Sequence, residues 1–325
     1  MKLIVLIPAL NEAATITKVI QSIPKQYESG VEIQVLVVDD GSTDDTARLA
    51  KEAGAVVISH SHNQGVGTAF HTGLNAALKA GADIMVNIDA DGQFSYQDIP
   101  RLIAPILADE ADFVTGDRFA DGEGHLHKPE NMSPILFWGN SQMAKLISVL
   151  IDHDYTDVSC GFRAYSKEAM LRLNLIGKFT YTQETFIDLA FKDLRIKMVP
   201  VQVKYFPERK SRVAGSILRY MINTLKIIIR SYRDYKPMRF FGGLGLIPFV
   251  PGVLCGLFVG IHYLITSTFT PYKFVGIIGI YLFSLGLLLW IVGLFADMFV
   301  RLRSTQEQLM YYEKLSQNVG NQKQP

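Results

Sequence analysis

Five short apolar runs alternate with helical patterns over the first 116 residues, and no other feature limits the possible folds as much. The runs are KLIVLIP (2–8), IQVLVVD (33–39), AVVIS (55–59), DIMVNID (83–89) and DFVTG (112–116). Between them, NEAATITKVIQSI, STDDTARLAKEA and GVGTAFHTGLNAALKAG carry apolar residues at helical spacing. Strands alternating with helices predict βαβ units and a mostly parallel sheet, an α/β fold. Runs without polar alternation fit strands covered on both faces. The N-terminal run is therefore read as a first buried strand. It is short, Pro8 interrupts it, and no small-residue cleavage site follows.

In such sheets ligands bind beyond the carboxyl ends of the strands. Polar clusters fall there: Asn11-Glu12, DDGSTDDT (39–46), HSHNQGVG (60–67) and DADGQ (89–93). Asp89 and Asp91 close an apolar run one residue apart, on one side of an extended chain. Two like charges at that spacing repel unless a cation lies between them. Hard oxygen ligands of this kind suit Mg²⁺ or Mn²⁺, with a diphosphate supplying further oxygens. NQGVG has Phe70 where a dinucleotide fingerprint needs its third glycine, and no Walker pattern occurs, so neither NAD nor P-loop chemistry is supported.

The net charge of +1 excludes a generally basic nucleic-acid binder. It hides an asymmetry, because residues 204–239 hold ten basic residues against Glu208 and Asp234. Cys160 and Cys255 are the only cysteines, the second in a strongly apolar segment, so no disulfide or zinc site is expected. His125 and His127 lie in a loop-like stretch, 117–135, and read as solvated. Helices are expected at 135–151 and 181–194, and a strand at 196–206.

The chain then changes character. Residues 240–266 and 274–300 are each long enough to cross about 30 Å of hydrocarbon as a helix. TSTFTPYK separates their apolar cores, so they form a hairpin. Basic residues precede the first span, and Arg301 and Arg303 follow the second, which places both termini and the N-terminal domain in the cytoplasm. Residues 216–239 read as a basic amphipathic helix lying in the membrane interface. The expected domains are thus 1–215, the juxtamembrane helix 216–239, the two spans, and a partly disordered tail 301–325.

IPALNE (7–12), VVDDGSTDDT (37–46), Asn63 with Gly65, DADGQ, GDR (116–118) and DVSCGFRAY (157–165) together resemble family 2 glycosyltransferases of GT-A fold. Within these the chain is most similar to the polyprenyl-phosphate hexosyltransferases, the group of dolichol-phosphate mannose synthase and bactoprenol glucosyltransferase. The resemblance covers about residues 1–215. It implies that Pro8, Asn11, Glu12, Asp39 and Asp40 line the nucleoside pocket of a nucleotide-sugar site. Asp89, Asp91 and Gln93 hold metal and diphosphate. Asp157, Ser159, Gly161, Phe162 and Arg163 border the acceptor, with Asp91, Asp157 and Arg163 as the catalytic candidates. Arg118, Arg209, Lys210, Arg212 and Ser216 face phosphates. Asp157 is expected beside the attacking oxygen in an orienting role, and Glu184 is expected to orient Arg163. Where relatives carry a basic residue before the helix near Ile135, this chain has SPILFWGN, and Lys128 is the candidate substitute. Cys160 reads as a packing residue. Tetramers follow from the resemblance alone.

The implied reaction is inverting transfer of one hexose from a nucleotide diphosphate sugar to a polyprenyl phosphate at the cytoplasmic membrane face. A phosphate monoester has a second pKa of about 6, so it is already an anionic nucleophile near neutrality. A glycan-extending synthase is the first rival, but its Q-x-x-R-W motif is absent, Gln183 being followed by Glu184, Thr185, Phe186 and Ile187. A catalytically silent membrane scaffold is the second. It predicts erosion of the strand-edge acids, all of which are present.

Overall fold

The apolar runs become neighbouring strands of one sheet. The structure is a computed structural model and describes residues 1–27, 30–120, 126–174, 181–206 and 217–321. Two compact units divide the chain: Met1–Ile228 with the chain from Leu309 on, and Ile229–Gln308. The first unit begins β1 (Lys2–Ala9), α1 (Ile16–Ser22), β2 (Glu32–Asp39), α2 (Thr46–Glu52), β3 (Val56–Ser59), α3 (Val66–Lys79) and β4 (Ile84–Asn87). It continues α4 (Ile99–Leu107), β5 (Phe113–Asp117), α5 (Pro134–Ile151), β6 (Arg163–Ser166), α6 (Lys167–Arg172), α7 (Thr182–Phe191) and β7 (Ile196–Pro200). The chain then forms α8 (Ile217–Tyr235), α9 (Pro237–Thr266) and α10 (Lys273–Asn321).

The seven strands lie in the order β3-β2-β1-β4-β6-β5-β7. All neighbours are parallel except β6, which runs antiparallel to both β4 and β5. Leu3 to Ile7 of β1 are all buried, as a strand covered on both faces requires. α3 packs so closely that a Cβ on Gly73 would fall 2.2 Å from the Leu6 side chain. Strand order reverses between β1 and β4, and ligands of open parallel sheets bind in the crevice at such a switch.

Three expectations change. The strand expected over 196–206 stops at Pro200, which has no N–H for the ladder, and Val203 makes only an isolated bridge to Phe94. DVSCGFRAY hides a strand, β6. The tail after residue 301 is helical through Asn321, supported by an Arg303–Glu307 pair and a Gln317–Glu313 hydrogen bond at i,i+4 spacing.

In the second unit, α9 has 30 residues and α10 has 49. Both are long and apolar enough to cross a membrane. They pack through glycines: a Cβ on Gly252 would lie 2.5 Å from the Phe283 nitrogen, and one on Gly286 would lie 2.9 Å from the Gly245 oxygen. α8 leaves Ile222, Leu225 and Ile229 exposed at helical spacing.

Candidate active site

The first part of the candidate site is built from the loops after β1, β2 and β3. After Pro8, Asn11 takes a left-handed conformation (φ 51°), with its N–H donating to Ser42 Oγ (2.8 Å). Its Oδ1 accepts from the Thr43 N–H (2.8 Å). The Glu12 N–H donates to Thr46 Oγ1 (2.8 Å). Asp39 Oδ1 accepts from the Ser42 N–H (3.1 Å), a turn that holds the loop to its own strand. Asp40 is fully engaged. Oδ1 accepts from the Gln64 N–H (2.9 Å) and contacts His60 Nδ1 (2.7 Å), while Oδ2 accepts from the Gly65 N–H (2.8 Å). Asp40 therefore fixes the 60–65 loop. Gly41 just after these acids must be glycine: φ is +75°, and a Cβ would lie 2.5 Å from the His62 backbone.

The acids of DADGQ sit in a turn just past β4. The Gln93 N–H donates to Asp91 Oδ1 (3.0 Å). Thr15 Oγ1 ties this turn to the β1 loop, donating to the Ala90 carbonyl (2.8 Å) beside Glu12 Oε2 (3.2 Å). Burial first, and the charge of Asp91 second, push the Asp89 carboxyl up to about 7, while Arg118 and Arg163 pull the other way. Two oxygen donors in one turn, one held toward its neutral form by burial first and by the other's charge second, fit a hard divalent cation. Among the described residues no cluster of three or more His, Cys, Asp or Glu side chains could hold a metal alone. A cation here would need ligands from the bound nucleotide.

The third part is the loop before β6. Because β6 is antiparallel, its first residue lies at the carboxyl edge, and residues 157–162 arrive beside the acid turn. A Cβ on Gly161 would lie 2.9 Å from Asp89 Oδ2. Asp157 is wholly buried and forms a two-pronged pair with Arg118: Nε to Oδ2 at 2.6 Å and Nη2 to Oδ1 at 2.9 Å. Arg118 also donates to Ser159 Oγ (2.7 Å) and Tyr205 Oη (3.1 Å). The guanidinium holds Asp157 below the usual carboxylate range against the opposing effect of burial. The charge of Asp157 is thus already met by Arg118.

Arg163, expected among the catalytic groups, is also wholly buried. Its three nitrogens donate to the carbonyls of Cys160 (2.7 Å), Thr182 (2.7 Å) and Val158 (2.9 Å). It staples the 157–162 loop to the start of α7. Burial pushes the Cys160 thiol up to about 12, so it is inert. Lys128 Nζ donates to the Met132 carbonyl (3.0 Å) and serves its own turn. Arg209, Lys210, Arg212, Ser216 and His125 lie outside the described residues.

Sequence reading missed Asn87, Tyr181, His60 and Tyr205. Buried Asn87 donates to the Gly161 carbonyl (2.8 Å) and Tyr181 Oη (2.7 Å), joining β4, the 157–162 loop and α7. A polar residue closing the apolar strand IMVN was the available signal.

The model of the family described as Glycosyl transferase family 2 matches residues 4–173. A UDP-N-acetylglucosamine–dolichyl-phosphate N-acetylglucosaminyltransferase of Methanococcus voltae is 30% identical over 238 residues, 67% of this chain and 91% of its own length. Glycosyltransferase AglJ of Haloferax volcanii is 27% identical over 312 residues, 96% of this chain and 97% of its own. Glucosyl-3-phosphoglycerate synthase of Mycobacterium tuberculosis, solved with Mn²⁺, uridine diphosphate and glucosyl-3-phosphoglycerate, superposes with a TM-score of 0.52 at 26% identity. That match covers 69% of this chain and 78% of the synthase. The mostly parallel sheet with acids at its switch point is a GT-A arrangement, and the chain belongs to glycosyl transferase family 2.

Proposed function

We propose that this glycosyltransferase moves one hexose, with inversion, from a nucleotide diphosphate sugar to a polyprenyl phosphate at the cytoplasmic face of a membrane. The observation that carries the reading is one chain joining an acid turn at the sheet's switch point to two helices long and apolar enough to cross a bilayer. The dolichyl-phosphate acceptor named for the Methanococcus relative supports the same acceptor class. The exposed apolar stripe of α8 and the basic residues around it suit a headgroup surface.

The nucleoside lies along Pro8, Asn11, Glu12 and Asp39, on a floor shaped by Asp40. Asp89, Asp91 and Gln93 receive the diphosphate, together with Mg²⁺ or Mn²⁺. When bound, that cation neutralises charge on the departing diphosphate. The 157–162 loop, stapled by Arg163, presents the acceptor side. Arg118, braced by Asp157 and Ser159, offers a fixed cation there, and the basic segment 209–216 supplies others. An acceptor phosphate oxygen bonds to the anomeric carbon from the face opposite the leaving group. The bond from that carbon to the diphosphate oxygen breaks, and its electron pair leaves with the nucleoside diphosphate. No proton moves, which agrees with an Asp157 whose charge Arg118 already neutralises.

The test incubates detergent-purified protein with labelled nucleotide sugars, a polyprenyl phosphate and Mg²⁺ or Mn²⁺. Label should enter the organic phase from one donor, and EDTA or Asp91→Asn should abolish it. Label entering a glycan and no lipid would establish the synthase instead. No transfer from any donor, with folded protein, would overturn the reading.

A further inference from the structure

The chain from Leu309 on, the end of α10 beyond its apolar stretch, belongs to the catalytic unit. Its contacts are with α6. Tyr311 Oη donates to Glu168 Oε2 (3.0 Å), and the Arg172 guanidinium lies 5.7 Å from the Tyr311 ring centroid. Lys314 Nζ donates to the carbonyls of Leu171 (3.3 Å) and Leu173 (2.9 Å) and to Asn174 Oδ1 (2.9 Å). Between those carbonyls, that of Arg172 accepts from Lys192 Nζ (2.8 Å), which also pairs with Asp188 of α7 (2.9 Å). Three consecutive carbonyls at the end of α6 are therefore capped by two lysines, one from α7 and one from α10. Cations at a helix carboxyl end are favourable because they meet the negative end of its dipole.

This corner stands one step from the site. α7 begins at Thr182, whose carbonyl holds Arg163, and Tyr181 just before it holds Asn87. Arg163 and Asn87 in turn fix the carbonyls of Val158, Cys160 and Gly161 beside Asp89. We propose that residues 309–317 are a strap that positions the acceptor loop, with Lys314 as the positioning residue. Lys314 acts on the loop through α6 and α7 and touches no substrate.

The test uses the full chain in detergent with Lys314→Ala, Lys314→Arg and Tyr311→Phe. Hydrogen exchange is followed in 182–191, with α2 as the internal control. Lys314→Ala should speed exchange at the start of α7 about tenfold and leave α2 unchanged. Tyr311→Phe should do so less, and Lys314→Arg should restore most of the protection. The transfer readout rests on the function proposed above: kcat should fall several-fold with the donor KM unchanged. Equal acceleration in α2 would mean general destabilisation and overturn the proposal. So would unchanged exchange in α7, or faster exchange there with undiminished kcat. If no donor is used at all, the exchange result still decides the strap on its own.

Discussion

Gly161 has no side chain because the Asp89 carboxylate occupies the space one would fill. Gly161→Ala should therefore weaken Mn²⁺ and nucleotide binding while the protein stays folded, as titration calorimetry beside circular dichroism would show. Asp91→Asn should cut transfer at least about a hundredfold, because it removes half of the acid pair proposed to receive the diphosphate. Asp157 makes a different prediction. Its partner Arg118 is nearly buried, so Asp157→Ala leaves a cation without compensation and should cost about 3–5 kcal/mol of stability. The Asp157 carboxyl titrates lower folded than its ordinary value of about 3.9. Its contribution is therefore complete above that ordinary value and is lost as pH falls through the lower folded one. Thermal midpoints measured from pH 6 downward should drop more steeply below about pH 4 in the native protein than in Asp157→Asn. The acid turn was legible because both acids fall together in sequence. The Arg118–Asp157 pair was not, because its members lie 39 residues apart and meet only through β5 and the reversed β6. The burial of Arg163 on three backbone carbonyls was not read from the sequence either. Its apolar neighbours on both sides, CGF and AY, were the sign of a buried strand position.

At the scale of elements, β1 to β5 were read to within a residue or two because each is a short, mostly apolar run, whereas the parallel strand β7 ended early, at Pro200. β6 was not, since RAYS has four residues and no apolar run, and its pairing depends on partners far away in sequence. Its reversal matters for the site. A parallel strand here would carry the 157–162 loop to the opposite edge of the sheet. The hairpin gives a paired prediction. Gly252→Ala would press a methyl against the Phe283 backbone and should lower the thermal midpoint in detergent, by about 1–3 kcal/mol of stability. Gly256→Ala meets nothing within 4 Å and should leave that midpoint unchanged.

For the whole molecule, the sheet, the acid edge and the apolar hairpin were all present in the linear pattern. The destination of the tail was not, because a polar helix declares its partner only through contacts such as Lys314 with the end of α6. The charge pattern sets an orientation that labelling can check. In intact cells a membrane-impermeant thiol reagent should reach Thr268→Cys, between the helices, and not Gln306→Cys, in α10 past its apolar stretch. Native Cys160 is buried and serves as an internal blank. The strap also sets an order of events during synthesis. All seven strands are made before the apolar hairpin, yet Tyr311 and Lys314 leave the ribosome after it. A nascent chain stalled at Gln308 should hold the sheet with an unsecured α6–α7 corner, sensitive to protease, and one extended past Asn321 should resist. Competence to transfer sugar would then mature only behind the hairpin, so a chain whose helices had not yet left the translation machinery would have little capacity to consume donor.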